Sequence, residues 1–176
     1  MPGIDESIKF VPVQIAVLTV SDTRGESEDG SGATLVDRAE KAGHRVVRRA
    51  FVRDERGDIE SRLRAWIDDP EVDVIISTGG TGVTGRDVTP EAVRAVCQKE
   101  IEGFGELFRW LSFRHVGAST VQSRATAGVA HGTYVFALPG STGACRDAWD
   151  EILVHQLDIR YRPCNFVELM PRLKEA

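Results

Sequence analysis

Along the chain, short runs of apolar and β-branched residues alternate with longer stretches in which apolar side chains return every three or four positions. The first run, residues 13–20 (VQIAVLTV), follows Pro12, which sets the backbone extended, and predicts a strand. Leu35, Val36 and Ala39 give a helical stripe that closes at Gly43, a residue suited to the turn after a helix. Val46, Val47, Phe51 and Val52, parted by Arg48-Arg49-Ala50, predict a second, less buried strand. Ile59, Leu63, Trp66 and Ile67 then share one helical face, with Asp58 placed to cap that helix and Asp68-Asp69-Pro70 to end it. Residues 72–77 (VDVIIS) predict a third strand, buried on both faces. A helix follows from Pro90, with Thr89 as its expected N-cap and Glu91 complementing its dipole. Phe104, Leu107, Phe108 and Leu111 mark a further helix, whose stripe predicts core or subunit contact. Residues 133–138 (TYVFAL) are the last clear strand, and Ala144, Ala148, Ile152 and Leu153 continue at helical spacing.

Strand and helix in repeated alternation are the signature of right-handed βαβ units, so the predicted fold is α/β around a mostly parallel sheet. At 176 residues the chain fits one domain. A flexible arm is expected over about residues 1–10, and a tail without periodicity or assigned chemistry over about residues 162–176.

Two joints between strand and helix carry the candidate chemistry. Thr78-Gly79-Gly80-Thr81-Gly82 leads on through Gly85, so that four glycines fall within seven positions. Such a loop permits positive φ and can aim successive N–H groups at an anion, phosphate above all. Pro139-Gly140-Ser141 begins a second loop of the same kind, and two such loops on one sheet make a two-sided cleft. Asp87 stands between the first loop and its helix, where a carboxylate beside phosphate calls for a bridging cation such as Mg²⁺. Ser21 and Asp22 end the first strand, and Asp54 ends the second, which would bring these groups to the same sheet edge as Asp87. Asp22 and Asp54 are each read either as ligand groups or as turn formers. Arg124, beside Ser123, would hold a phosphate or carboxylate, or else form a surface salt bridge.

Charge narrows the field. With 28% charged residues and a net charge of −5, no global basic field is present to hold nucleic acid. No apolar run is long enough to cross a membrane, and residues 1–6 lack the basic start and apolar middle of a signal peptide, so a cytoplasmic protein is expected. Cys97, Cys145 and Cys164 are odd in number and widely spaced, which disfavours disulfides and zinc. The GxxxxGK[ST] and GxSxG patterns are missing, and His44, His115, His131 and His155 suggest no triad.

The first loop, the run Arg86-Asp87-Val88-Thr89-Pro90-Glu91-Ala92, the Gly103-Phe104-Gly105-Glu106 segment, Ser123-Arg124 and Leu138-Pro139-Gly140-Ser141 together resemble the MoaB/MogA molybdenum cofactor biosynthesis proteins, over about residues 12–166. Residues 111–113 and 162–166 look more like the MoaB branch. The resemblance implies a three-layer α/β/α sandwich and a site for molybdopterin, a pterin dithiolene with a terminal phosphate. It implies Mg-ATP-dependent adenylylation of that phosphate with release of pyrophosphate, and hand-over of the product to the molybdate-insertion enzyme. On this chain the implied molybdopterin and phosphate ligands are Thr78, Gly79, Gly80, Thr81, Gly82, Ser123, Arg124, Pro139, Gly140 and Ser141. Ser21 and Asp22 are the expected nucleotide contacts, and Asp54 and Asp87 the catalytic, Mg²⁺-binding aspartates. Arg53 stands where the family usually has proline before the first aspartate. A homo-oligomer is also implied, hexameric or otherwise trimeric. The alternatives are a non-catalytic molybdopterin-binding or carrier oligomer of the same fold, or a scaffold.

Overall fold

The computed structural model describes residues 1–23 and 25–175, so Arg24, at the end of the polar stretch after the first strand, and Ala176 lie outside the described residues. A six-stranded sheet forms the centre, in the order β3-β2-β4-β7-β6-β5. Its strands are β2 (Gln14–Val20), β3 (Arg45–Val52), β4 (Val74–Thr78), β5 (Lys99–Glu100), β6 (Thr126–Ala130) and β7 (Thr133–Leu138). The pairs β2/β3, β2/β4 and β4/β7 are parallel, whereas β6 joins β7, and β5 joins β6, antiparallel.

Strand periodicity divides the core in two. Ile15 and Val17 of β2, Val74 and Ile76 of β4, and Tyr134, Phe136 and Leu138 of β7 point to one face. There they meet α1 (Gly30–Lys41) through Leu35 and Ala39, α4 (Glu102–Val116) through Phe104, Phe108 and Leu111, and α5 (Thr142–Ala148) through Cys145 and Ala148. The alternate residues Ala16, Leu18, Ile75, Val135 and Ala137 face α2 (Arg56–Ile67) and α3 (Thr89–Val96). The three-layer α/β/α arrangement therefore follows from strands that are apolar on both sides. Each fully buried Leu, Ile or Phe contributes roughly 1.5–3 kcal/mol to that arrangement.

Connectivity places the site. The chain passes from β2 outward to β3 through α1, then returns across β2 to β4 through α2. The crevice beyond the carboxyl ends of β2 and β4 is thus where the winding direction reverses, the position at which open α/β sheets admit ligands.

Some local expectations are corrected. Thr89 is the first residue of α3 and follows the Val88 cap; its hydroxyl donates to the Gly79 carbonyl (2.8 Å) and so holds the glycine loop. Helix α2 begins at Arg56 after Glu55, two residues before the expected cap Asp58, which sits in the first turn. Strands β5 and β6 escaped prediction. At the chain ends, Gly3–Ile4 (β1) pairs antiparallel with Tyr161–Arg162 (β8), so the arm and the start of the tail are joined. Among the described residues no helix is long and apolar enough to cross a membrane.

Candidate functional site

A cavity of about 630 Å³ opens at the carboxyl edge of the sheet. The loops after β2, β3, β4 and β7 all reach it, bringing together Ser21, Asp22, Asp54, Gly79–Gly82, Asp87 and Pro139–Ser141. The two glycine loops are joined directly, because β4 and β7 are neighbours: the Gly79 N–H donates to the Leu138 carbonyl (2.9 Å), and the Thr78 hydroxyl donates to the Pro139 carbonyl (2.9 Å).

Glycine is required where the first loop turns. Gly79 has φ +105°, and a Cβ there would collide with the Val20 carbonyl. Gly80 has φ +67°, and its missing side chain admits Asp54, whose Oδ1 would lie 2.8 Å from a Cβ. Glycine thus lets a carboxylate from β3 press against a loop from β4.

The Asp54 carboxylate forms no ion pair among the described residues and accepts the Asp22 N–H. Burial pushes its carboxyl above the usual range, and the neighbouring charges of Asp22 and Asp87 push it further the same way. Asp87 differs. Burial would raise its carboxyl too, but the Thr84 hydroxyl (2.7 Å), the Thr84 N–H (2.8 Å) and the Gly82 N–H outweigh burial and hold it low. Two carboxylates, one raised by burial and like charge and one held low by its donors, therefore face one hollow. Among the described residues no three His, Cys, Asp or Glu side chains gather as a metal cage. Mg²⁺ does not need one, since it takes one or two carboxylates with phosphate oxygens and water; the donor set at Asp54 and Asp87 fits it on that basis.

Three expected ligand groups have other tasks. Thr78 is buried and ties the two loops together. The Arg124 guanidinium donates to the Gly82 carbonyl (2.6 Å), the Asp87 carbonyl (2.6 Å) and Glu91, and its own N–H donates to the Thr81 carbonyl (2.9 Å). It clips the glycine loop to α3 from behind and lines a second hollow, while Ser123 borders both. Asp22 receives Arg86 through both oxygens (2.9 and 3.2 Å) and accepts the Asp54 N–H (3.1 Å).

Comparison with known proteins decides the family. The family described as "Probable molybdopterin binding domain" matches residues 16–159. A relative named molybdenum cofactor biosynthesis protein B, from Escherichia coli strain K12, is 53% identical over 169 residues, covering 96% of this chain and 98% of its own. The chain belongs to the MoaB/MogA family. A second relative of the same name, from Bacillus subtilis strain 168, is 40% identical over 82% of this chain and 86% of its own. Among solved structures, a molybdenum cofactor biosynthesis protein B superposes with TM-score 0.84 at 37% identity, covering 94% of this chain and 98% of that one. The tungsten cofactor synthesizing protein MoaB from Pyrococcus furiosus gives 0.77 at 34%, covering 93% and 98%.

Within this MoaB/MogA fold the cavity also has walls that sequence reasoning did not assign: Thr19, Asp29, Ser31, Arg86 and Gln122. Asp29 is buried and caps α1 through the Gly32 N–H (2.8 Å), while accepting from the Thr19 hydroxyl (2.7 Å) and Arg49 (3.0 Å). Burial would raise its carboxyl, but those three donors prevail and lower it. The signal available in the sequence was an Asp three residues before a glycine at the head of a helical stripe. Arg86 was visible as part of the run before Pro90, but without a role.

Proposed function

We propose that this protein, a member of a molybdenum cofactor biosynthesis family, transfers the adenylyl group of ATP to the terminal phosphate of molybdopterin. An oxygen of that phosphate attacks the α-phosphorus, and the bond from the α-phosphorus to the bridging oxygen breaks, with pyrophosphate leaving. One observation carries the reading: both glycine loops border the same cavity as the Asp54 and Asp87 carboxylates. Transfer at phosphorus asks a protein mainly to align two anions and offset their charge, with no covalent nucleophile. In this reading the rigidly tied loops present backbone N–H groups to the phosphates. Asp87, held ionised by Thr84, and Asp54, free of any ion pair among the described residues, would hold Mg²⁺. When bound, that ion shields the approaching phosphates and stabilises the departing pyrophosphate. The adenylylated product would pass to the molybdate-insertion enzyme in the cytoplasm.

We further propose a homo-oligomer, supported by the face of α4 on which Leu107, Trp110, Phe113 and Val116 remain exposed at helical spacing.

A single-turnover assay with purified protein, molybdopterin, ATP and Mg²⁺ tests the proposal. Adenylylated molybdopterin and stoichiometric pyrophosphate are expected. Molybdopterin binding without consumption of ATP would leave a carrier in place of an enzyme.

A further inference from the structure

Arg86 is the single cationic side chain among the described residues that line the cavity, whose lining also includes the four carboxylates of Asp22, Asp29, Asp54 and Asp87. A polyphosphate entering this hollow encounters like charge from its acidic wall, and among the described lining residues one cationic side chain can answer it. Two other arginines near the lining already have partners: Arg124 the loop carbonyls and Glu91, and Arg49 the Asp29 carboxylate.

Arg86 itself is stored rather than buried. Its Nε donates to Asp22 Oδ2 (2.9 Å) and its Nη2 to Asp22 Oδ1 (3.2 Å), while Nη2 also pairs with Glu55 Oε1 (2.8 Å). The side chain is 56% exposed, a setting in which ion pairs contribute little to stability and exchange readily. The forked guanidinium that grips a carboxylate with two parallel bonds grips a phosphate in the same way.

We propose that Arg86 is the phosphate-receiving side chain of this cavity, exchanging Asp22 and Glu55 for the polyphosphate of the nucleotide. Asp22 is then a positioning residue that parks the guanidinium at the cavity wall until the anion arrives. This assignment rests on the adenylyltransferase reading. It adds a charged contact for the phosphates to the N–H groups that the backbone loops present.

The test is calorimetric titration of the full-length protein with ATP, pyrophosphate and adenosine, with and without Mg²⁺. Arg86→Gln is expected to weaken ATP and pyrophosphate about ten- to a hundredfold, the scale of a lost hydrogen bond to a charged group, and to leave adenosine unchanged. Asp22→Asn keeps an oxygen for the Asp54 N–H but loosens the hold on Arg86. It is expected to tighten metal-free pyrophosphate, and that gain is expected to vanish in the Arg86→Gln/Asp22→Asn double variant. Three results would overturn the assignment: wild-type affinity in Arg86→Gln, weakening by Asp22→Asn of the kind a mere loop clasp predicts, or a gain that survives undiminished in the double variant. If the wild type bound neither ATP nor pyrophosphate, the adenylyltransferase reading would fall together with it. Wild-type binding that Arg86→Gln does not change would remove the Arg86 assignment alone.

Discussion

The Thr78 hydroxyl donates to the Pro139 carbonyl at 2.9 Å, linking the residue at the head of one glycine loop to the residue at the head of the other. Sixty-one positions of chain separate them, yet adjacent parallel strands bring them to one edge with no freedom to drift. Thr78→Val keeps the volume and removes the donor. The expected cost is about 0.5–1.5 kcal/mol, the net scale of one hydrogen bond, since the Cys145 thiol still reaches the Pro139 carbonyl (3.4 Å). Urea unfolding would show it as a lower midpoint at unchanged slope.

Asp87→Asn should separate binding from chemistry. The amide oxygen can still accept from Thr84, so the loop keeps its shape, but the full negative charge is gone. Molybdopterin should still bind, while adenylylation with Mg-ATP falls on the order of a hundredfold, as when one group facing transition-state charge is removed. Unchanged single-turnover rates would exclude Asp87 from the metal site.

Asp54 should trade stability for activity. Burial, then Asp22 and Asp87, raise its carboxyl in the folded state above the ordinary 3.8. The native state therefore binds the proton more tightly than the unfolded chain, and stability is lost as the pH rises from 3.8 through the raised native value. Asp54→Asn should consequently be more stable than the wild type at pH 7, with the gain gone below pH 3.8, and should be inactive. Denaturant titrations across pH 3–7 check the sign; a destabilised variant at pH 7 contradicts it.

His44 should respond in the opposite direction along the pH axis. Burial lowers it from 6.5 to about 4, against the weaker pull of Asp158, and its Nδ1 accepts the Val13 N–H (3.2 Å), which requires the neutral ring. The unfolded chain takes up a proton first, so stability contributed by neutral His44 is present above pH 6.5 and is lost as the pH falls toward 4. His44→Gln should flatten that limb of the stability profile, even though the variant is less stable overall. An unaltered slope between pH 6.5 and 4 would assign the limb to other groups.

How much of this was legible in the sequence depended on whether a residue's role is local. The strand runs ending at Thr78 and Leu138, and the glycines that follow each, announced their geometry because β-branched stretches and positive φ are properties of a few consecutive residues. Strand β6 did not, since three of the five residues in Thr126-Ala127-Gly128-Val129-Ala130 are Ala or Gly and the strand is held by β7 on one side and β5 on the other. Asp29 stands among polar and glycine residues in the sequence; only the fold brings Thr19 and Arg49 to it. Thr78 and Arg124 carried the right chemistry for a phosphate, but their partners are the backbone of loops distant in sequence, which no spacing rule reveals.

The ladder between Gly3–Ile4 and Tyr161–Arg162 has a practical outcome. It belongs to the chain-end segment whose Arg160 lies over Phe10 and whose Phe166 carbonyl receives the Tyr134 hydroxyl, toward the amino ends of the central strands and away from the loops that frame the pocket. Anchoring the molecule to a sensor surface by its first residue would leave that pocket pointing into the flow, ready for nucleotide to be passed over it.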